Sequence, residues 1–327
     1  MTATPSLTAD DIRGLVAILP TPALPGADRW DARDTVDLAE TERLTNAMVE
    51  AGVDVLLTNG TFGEGASLTF AEILAFNDTV LRTVRGRVPV FTGATTLNTR
   101  DTIDRGRELG QLGADGLFLG RPMWVALDDT QIVAYHQSIA EALPGLAQVA
   151  YDNPNAFKGK ISPLAYAELA RIPQIVAAKH MGLSLMGDRY VQDLNAVDGR
   201  IRLLPHAGDW AHTAHRFPDQ TPACWSGDAA CGPAPLLRLR DAVLAKDWER
   251  AARINDAIAR ATESLFPGGS FEEFSKYNIQ IDRAEFAAAG YFTPGPARPP
   301  YTSCPQPYLD GGSEAGRRWA ELQHTYA

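Results

Sequence analysis

Short apolar runs alternate with amphipathic segments from near the start of the chain to about residue 245. Eight runs predict strands, at 14–19, 53–58, 88–92, 115–119, 146–151, 174–179, 201–204 and 222–226. Between them, segments such as 35–51, 69–84, 99–112, 129–143 and 163–171 carry apolar residues at helical spacing. Thr69-Phe70-Ala71-Glu72 fits a capping box that opens one of these helices. Strands that alternate with helices predict a parallel sheet with right-handed crossovers. Eight such units predict a closed (β/α)8 barrel, a TIM barrel. A doubly wound sheet is the alternative, but no G-x-G-x-x-G follows the first strand.

Beyond residue 246 the strand pattern stops, so the chain divides into a barrel over 1–246 and a C-terminal extension over 247–327. Segments 247–265 and 271–290 read as helices, and 313–325 as a last short one. Segment 293–311, rich in proline and aromatics, reads as an extended arm. The extension is expected to pack on the barrel as additional C-terminal helices rather than to fold alone.

The 327 residues are 45% hydrophobic, enough for one large α/β domain. No apolar run approaches the roughly 18 residues needed to cross a membrane. The start, Met1-Thr2-Ala3-Thr4-Pro5, has no basic region followed by an apolar one, as a secretory leader would. A formal charge of −10, without dense Lys/Arg clusters, argues against nucleic-acid binding. Cys224, Cys231 and Cys304 lack the paired spacing of a zinc site and are too few for a disulfide framework. A cytoplasmic enzyme of small molecules is expected.

Candidate chemistry centres on Lys179, which closes the apolar run Gln174-Ile175-Val176-Ala177-Ala178. A lysine facing an apolar interior loses part of its charge to desolvation, and the neutral amine attacks a carbonyl to form a Schiff base. A lysine that only snorkels from a strand end is the plainer reading of the same residue. The preceding strand ends in Tyr151, followed by Asp152-Asn153-Pro154. After the second strand comes Thr58-Asn59-Gly60-Thr61-Phe62-Gly63-Glu64, a turn whose exposed amides suit a carboxylate. Arg121-Pro122-Met123-Trp124, His206 and Trp225 follow or end three further strands. Barrel active sites lie at these carboxyl ends.

In order and spacing these residues resemble the dihydrodipicolinate synthase/N-acetylneuraminate lyase superfamily of pyruvate-type class I aldolases. The resemblance implies that Lys179 forms the imine, that Tyr151 shuttles protons, and that Thr61 and Phe62 amides, with Gly60 in the turn, hold the 2-oxo-acid carboxylate. It implies a homotetramer assembled as a dimer of dimers. The chain departs from the synthase pattern in three places. Phe62 replaces a second threonine, Trp124 replaces a tyrosine lent across the dimer interface, and Ala156 replaces a substrate-gripping arginine. These replacements resemble the hydratase-aldolase branch, which degrades polycyclic aromatics.

Further matches to that branch are Asn153-Pro154-Asn155-Ala156-Phe157-Lys158, Leu204-Pro205-His206, Cys231-Gly232-Pro233-Ala234, Phe274-Ser275-Lys276-Tyr277-Asn278 and Arg298-Pro299-Pro300-Tyr301. The branch implies that His206, Trp225 and Asn278 accompany the Lys/Tyr pair. Its substrates are trans-o-hydroxybenzylidenepyruvate and trans-2'-carboxybenzalpyruvate, cleaved to an aromatic aldehyde and pyruvate. Lys179 would condense with the C2 ketone, and water held by Asn278, with or without His206, would add at C4. Tyr151 would then take the hydroxyl proton as the C3–C4 bond breaks. The covalent imine is the electron sink, so neither cofactor nor metal is expected.

Each side chain has a second reading. His206 also suits a structural role in its loop, Trp225 a pocket wall, Asn278 a helix cap or a brace for the arm, and Glu64 a brace for its turn. Trp225, Phe62 and Trp124 are expected to surround the aryl ring. His180, His212 or His215 is expected to supply charge to a 2'-carboxylate. His206, Asp209, His212 and His215 fit no standard zinc spacing. Another aldolase or dehydratase of the superfamily, or a non-catalytic 2-oxo-acid binding protein, are the competing functions.

Overall fold

The computed structural model describes residues 7–327; residues 1–6, on which the reading of the chain start rests, lie outside it. The strands are Gly14–Ile18 (β1), Val55–Leu57 (β2), Val90–Gly93 (β3), Gly116–Leu119 (β4), Ala147–Tyr151 (β5), Ile175–Lys179 (β6), Arg202–Leu204 (β7) and Ala223–Ser226 (β8). All neighbours are parallel, in the order β7-β6-β5-β4-β3-β2-β1-β8. The Trp225 amide donates to Pro205 O at 2.9 Å, and His206 bridges Trp225, which closes the barrel between its outer strands.

Helices cover the outside: Leu38–Ala51 (α1), Phe70–Val84 (α2), Thr99–Gln111 (α3), Asp129–Ala142 (α4), Pro163–Leu169 (α5), Leu183–Met186 (α6), Asp188–Val197 (α7), Ala207–Arg216 (α8) and Ala234–Leu244 (α9). Trp248–Thr262 (α10), Phe271–Lys276 (α11), Asn278–Ala289 (α12) and Gln306–Tyr326 (α13) make the extension. Asp37, Thr69, Asn98, Asp128 and Ser162 each cap a helix through a side-chain oxygen. The Thr69 box is reciprocal, with Thr69 N–H donating to Glu72 Oε2 at 2.8 Å.

The two-residue period of a strand decides which side chains enter the barrel. In β1, Val16 and Ile18 pack inside while Leu15 and Ala17 meet the helices. In β5, Val149 and Tyr151 face inward and Ala150 outward. In β6, Ala177 is inside and Ala178 outside, so Lys179 shares the inward parity of Ala177. In β8, Ala223 and Trp225 face in and Cys224 out. Thus Tyr151, Lys179 and Trp225, each at or near a strand's carboxyl end, converge on one axis.

The extension departs from the sequence reading in two places. Segment 271–290 is two helices, α11 and α12, broken at Tyr277, whose ψ of 22° leaves the helical range. The last helix begins at Gln306 rather than 313 and runs to Tyr326. Asp310-Gly311-Gly312 resembles a loop in sequence, yet it lies within α13 because the helix meets α12 closely there. A Cβ at Gly312 would stand 2.6 Å from Ile281 O, and one at Gly316 would collide with Glu285 O. Burial of the resulting helix pair outweighs the weak helix propensity of glycine.

Candidate active site

Lys179 is 6% exposed and its Nζ lies 3.2 Å from the Trp225 ring centroid and 4.6 Å from that of Tyr151. Tyr151 and Lys179 are paired residues of β5 and β6. Burial holds the Lys179 amine well below the usual lysine range, against an opposing pull from Asp282. A neutral amine held in this way is the species that adds to a ketone. The Trp225 indole is fixed by Nε1 donating to His180 O at 2.6 Å.

Tyr151 is also held from several sides. Its phenolic oxygen shares a 2.8 Å hydrogen bond with Thr61 Oγ1 and accepts one from Asn153 Nδ2 at 3.2 Å. Phe118 stacks on the ring at 4.6 Å, and Phe157 meets it edge-on at 5.2 Å. Burial raises the phenol's pKa, partly offset by Thr61 and Asn153. Tyr151 is therefore a protonated phenol in contact with a second hydroxyl, suited to passing a proton in either direction.

The turn after β2 closes with Glu64 N–H donating to Thr61 O and Gly65 N–H to Gly60 O, at 3.0 and 3.2 Å. These bonds leave the Thr61 and Phe62 amides unused by any backbone carbonyl among the described residues. Glu64 is fully buried and pairs with Arg283 of α12 at 2.5 Å and with Arg298 of the arm. It braces the turn against the extension rather than facing the cavity.

A cleft of about 500 Å³ opens beside Tyr151. It is lined by Gly60, Thr61, Met123, Tyr151, Asn153, Ala156, Phe157, Asn278 and Tyr301, and by Phe271, Phe274 and Lys276 of α11. Asn278 opens α12 without capping it; its Nδ2 donates to Asp282 Oδ2 at 2.6 Å. Lys179, Trp225 and His206 cluster beside the Tyr151 ring, with Lys179 Nζ between the Tyr151 and Trp225 rings and His206 against Trp225.

His206 caps α8, its Nδ1 accepting from Gly208 N–H at 3.2 Å, and its ring meets Trp225 edge-on at 4.6 Å. Burial, and secondarily Lys179, lower its pKa to about 4. An Nδ1 that accepts leaves Nε2 carrying the hydrogen, so His206 is a neutral donor near pH 7.

Three expectations are corrected. The Phe62 ring is not a wall of the cleft: it packs edge-on against Phe286, and a Cβ on Gly227 would stand 2.5 Å from its tip. The Trp124 side chain is 78% exposed and also lines no part of its own chain's cleft. The aromatic surround is instead Phe157, Phe271, Phe274 and Tyr301. His180 faces backward to Asp193, at 3.1 Å, while His212 and His215 lie exposed on α8. Lys276 is the lysine on the cleft wall.

The sequence reading also missed Asp228, Asp282 and Glu285, all at most 9% exposed. Burial, before mutual repulsion, pushes Asp282 and Glu285 well above the usual carboxylate range. Burial pushes Asp228 up to about 6. For Asp282 and Glu285 the signal was acidic residues on a helix whose other positions, Ile279, Ile281 and Phe286, are core; Asp228, in the short turn after β8, carried no such signal. Among the described residues no group of three or more His, Cys, Asp or Glu side chains is arranged to hold a metal ion, and no helix is long and apolar enough to cross a membrane.

The dihydrodipicolinate synthetase family model matches residues 25–214. Over 98% of its length the chain is 57% identical to trans-2'-carboxybenzalpyruvate hydratase-aldolase of Nocardioides sp. (strain KP7), covering 97% of that protein. It is 44% identical, over 99% of its length and 97% of the relative, to trans-O-hydroxybenzylidenepyruvate hydratase-aldolase of Pseudomonas aeruginosa. The solved structure of PhdJ bound to a substrate intermediate superposes with a TM-score of 0.97 at 57% identity, covering 99% of this chain and all of the other. The arrangement at the barrel mouth and the match along the chain lead to one conclusion: the protein belongs to the dihydrodipicolinate synthetase family.

Proposed function

We propose that the chain is a Schiff-base hydratase-aldolase, a carbon–carbon lyase that converts an aryl-substituted 2-oxo-3-butenoate and water to an aromatic aldehyde and pyruvate. The observation that carries this reading is the buried Lys179 amine between the Tyr151 and Trp225 rings. Near full-length identity to two hydratase-aldolases supports the same reaction. The higher of the two identities favours the 2'-carboxy substrate over the 2'-hydroxy one.

In this mechanism the substrate carboxylate lies on the Thr61 and Phe62 amides, which no backbone carbonyl takes among the described residues, in the turn begun by Gly60. Lys179 Nζ condenses with the C2 ketone, water leaves, and Tyr151 with Thr61 carries the protons. The iminium draws electrons from the alkene, and water adds at C4 beside Asn278. Tyr151 removes the C4 hydroxyl proton, the C3–C4 bond breaks, and the aldehyde departs. The enamine takes a proton at C3 and is hydrolysed to pyruvate. His206 contributes a fixed donor and Trp225 a ring face against Lys179 Nζ, while burial lowers the amine's pKa. The imine serves as electron sink, with no other cofactor in the scheme. The aryl ring lies in the cleft among Phe157, Phe271, Phe274 and Tyr301.

A tetramer is part of the same proposal. Leu97, Trp124 and Val125, 57%, 78% and 67% exposed, give it an apolar surface to cover. The cytoplasm is the proposed compartment, which suits cysteines 224, 231 and 304 as free thiols. Borohydride added with pyruvate tests the reading: a reduced pyruvate mass is expected on Lys179. Turnover of both arylidene pyruvates is expected, faster with the 2'-carboxy compound. An unlabelled Lys179, or turnover unaffected by Lys179→Ala, would contradict it.

A further inference from the structure

The nitrogen of the Asn278 amide is already engaged, because Nδ2 donates to Asp282 Oδ2 at 2.6 Å. The two residues lie one turn apart on α12 and share one face of the helix. Asn278 lines the cleft beside Tyr151, and with its nitrogen held by Asp282 its Oδ1 remains as the acceptor. Asp282 itself is 6% exposed, next to Asp228 and near enough to Lys179 for each to feel the other's charge. Burial pushes its carboxyl well above the usual carboxylate range, and its Oδ2 accepts from Asn278 as an amide oxygen would.

We propose that Asp282 is a positioning residue for water addition: it fixes the Asn278 amide so that Oδ1 accepts a hydrogen bond from the water that attacks C4. The inference rests on the hydratase-aldolase reading. In the step, the water oxygen bonds to C4 and the alkene electron pair moves into the iminium, giving the enamine. The proton shed by water is matched by one gained at C3 when the enamine returns to iminium. Hydration therefore adds one water and nothing else. Imine formation and the C3–C4 cleavage use Lys179 and Tyr151 and do not depend on the Asn278 orientation.

That separation supplies the test. Wild-type turnover of 2'-carboxybenzalpyruvate comes first; its absence sinks the underlying reading, whatever Asp282 does. Asp282→Ala is then expected to lower kcat about tenfold or more with KM little changed. Borohydride with pyruvate should still label its Lys179 to the wild-type extent. Aldol addition of pyruvate to 2-carboxybenzaldehyde, read by NMR as the 4-hydroxy-2-oxo acid, should also keep its rate. Asp282→Asn retains a side-chain carbonyl and should restore kcat to within about threefold. Circular dichroism checks folding, and Asp282→Leu replaces Asp282→Ala if the latter does not fold. Normal turnover without the acceptor, loss of Lys179 labelling in a folded variant, or an Asp282→Asn enzyme as slow as Asp282→Ala would each overturn the proposal.

Discussion

The ε-amine of Lys179 rests 3.2 Å from the centroid of the Trp225 ring, with the indole itself held by His180 O. The barrel thus keeps this nitrogen out of water, and desolvation disfavours its charged form even over an indole face. In the unfolded chain the same amine is protonated at neutral pH. Native burial lowers its pKa, so the unfolded state binds more protons and Lys179 opposes folding below its ordinary pKa of 10.5.

Lys179→Met is therefore expected to abolish turnover, by a thousandfold or more on the order of other lost nucleophiles. It should also raise Tm near pH 7, by roughly 2–4 °C for each kcal/mol of desolvation relieved. Scanning calorimetry of the two proteins checks this. The gain should shrink as pH rises toward 10.5, where the unfolded lysine also loses its proton.

Tyr151→Phe removes the phenol but keeps the ring between Phe118 and Phe157. Turnover is expected to fall about 10²–10⁴-fold with thermal stability nearly unchanged. Because burial raises the Tyr151 pKa above 10.0, the phenol stays protonated through the ordinary assay range. No alkaline limb from this group is expected below pH 10 in a kcat profile.

The histidines predict an acid sensitivity of the fold. His136 and His206 are both lowered to about 4, from 6.5, with burial the largest cause. Between those pH values the unfolded state binds protons that the native state does not. Their contribution to stability is full above pH 6.5 and is lost as pH falls toward 4. Tm should fall across that window, and His206→Asn should flatten part of the fall. An unchanged slope in a Tm-against-pH series would count against it.

Glu64 compensates two buried guanidinium groups, Arg283 and Arg298. Glu64→Gln leaves both without a counter-charge and is expected to destabilise by about 3–5 kcal/mol. The loss should appear first as faster amide exchange and proteolysis in the arm over 293–305, which Arg298 holds to Thr21, Pro22 and Thr35.

Much of the barrel was legible because each strand is a short apolar run bounded by polar turns, and β6 shows why the site was too. Lys179 has the parity of Ala177, and a polar residue with inward parity at a strand's carboxyl end is already a candidate. The aryl surround was not legible by the same route. Phe62 looks like a pocket residue from its place beside Thr61, but Gly227 opens a slot that takes its ring toward Phe286. Phe271 and Phe274 join the cleft only through the fold of the extension, at long sequence separation from Tyr151. Asp282 reads as an ordinary helical charge until α13 and the barrel bury its helix.

The break at Tyr277 divides labour along the extension. On one side, α12 is locked to the barrel through Arg283 and to α13 through glycine contacts, and it carries Asn278. On the other, the single turn and a half of α11 brings Phe271, Phe274 and Lys276 to the rim without sharing those anchors. Changes in residues 271–276 can therefore remodel the rim while the Asn278 amide stays in register. Libraries that aim to widen the range of accepted aldehydes belong in residues 271–276, with everything after the break left untouched.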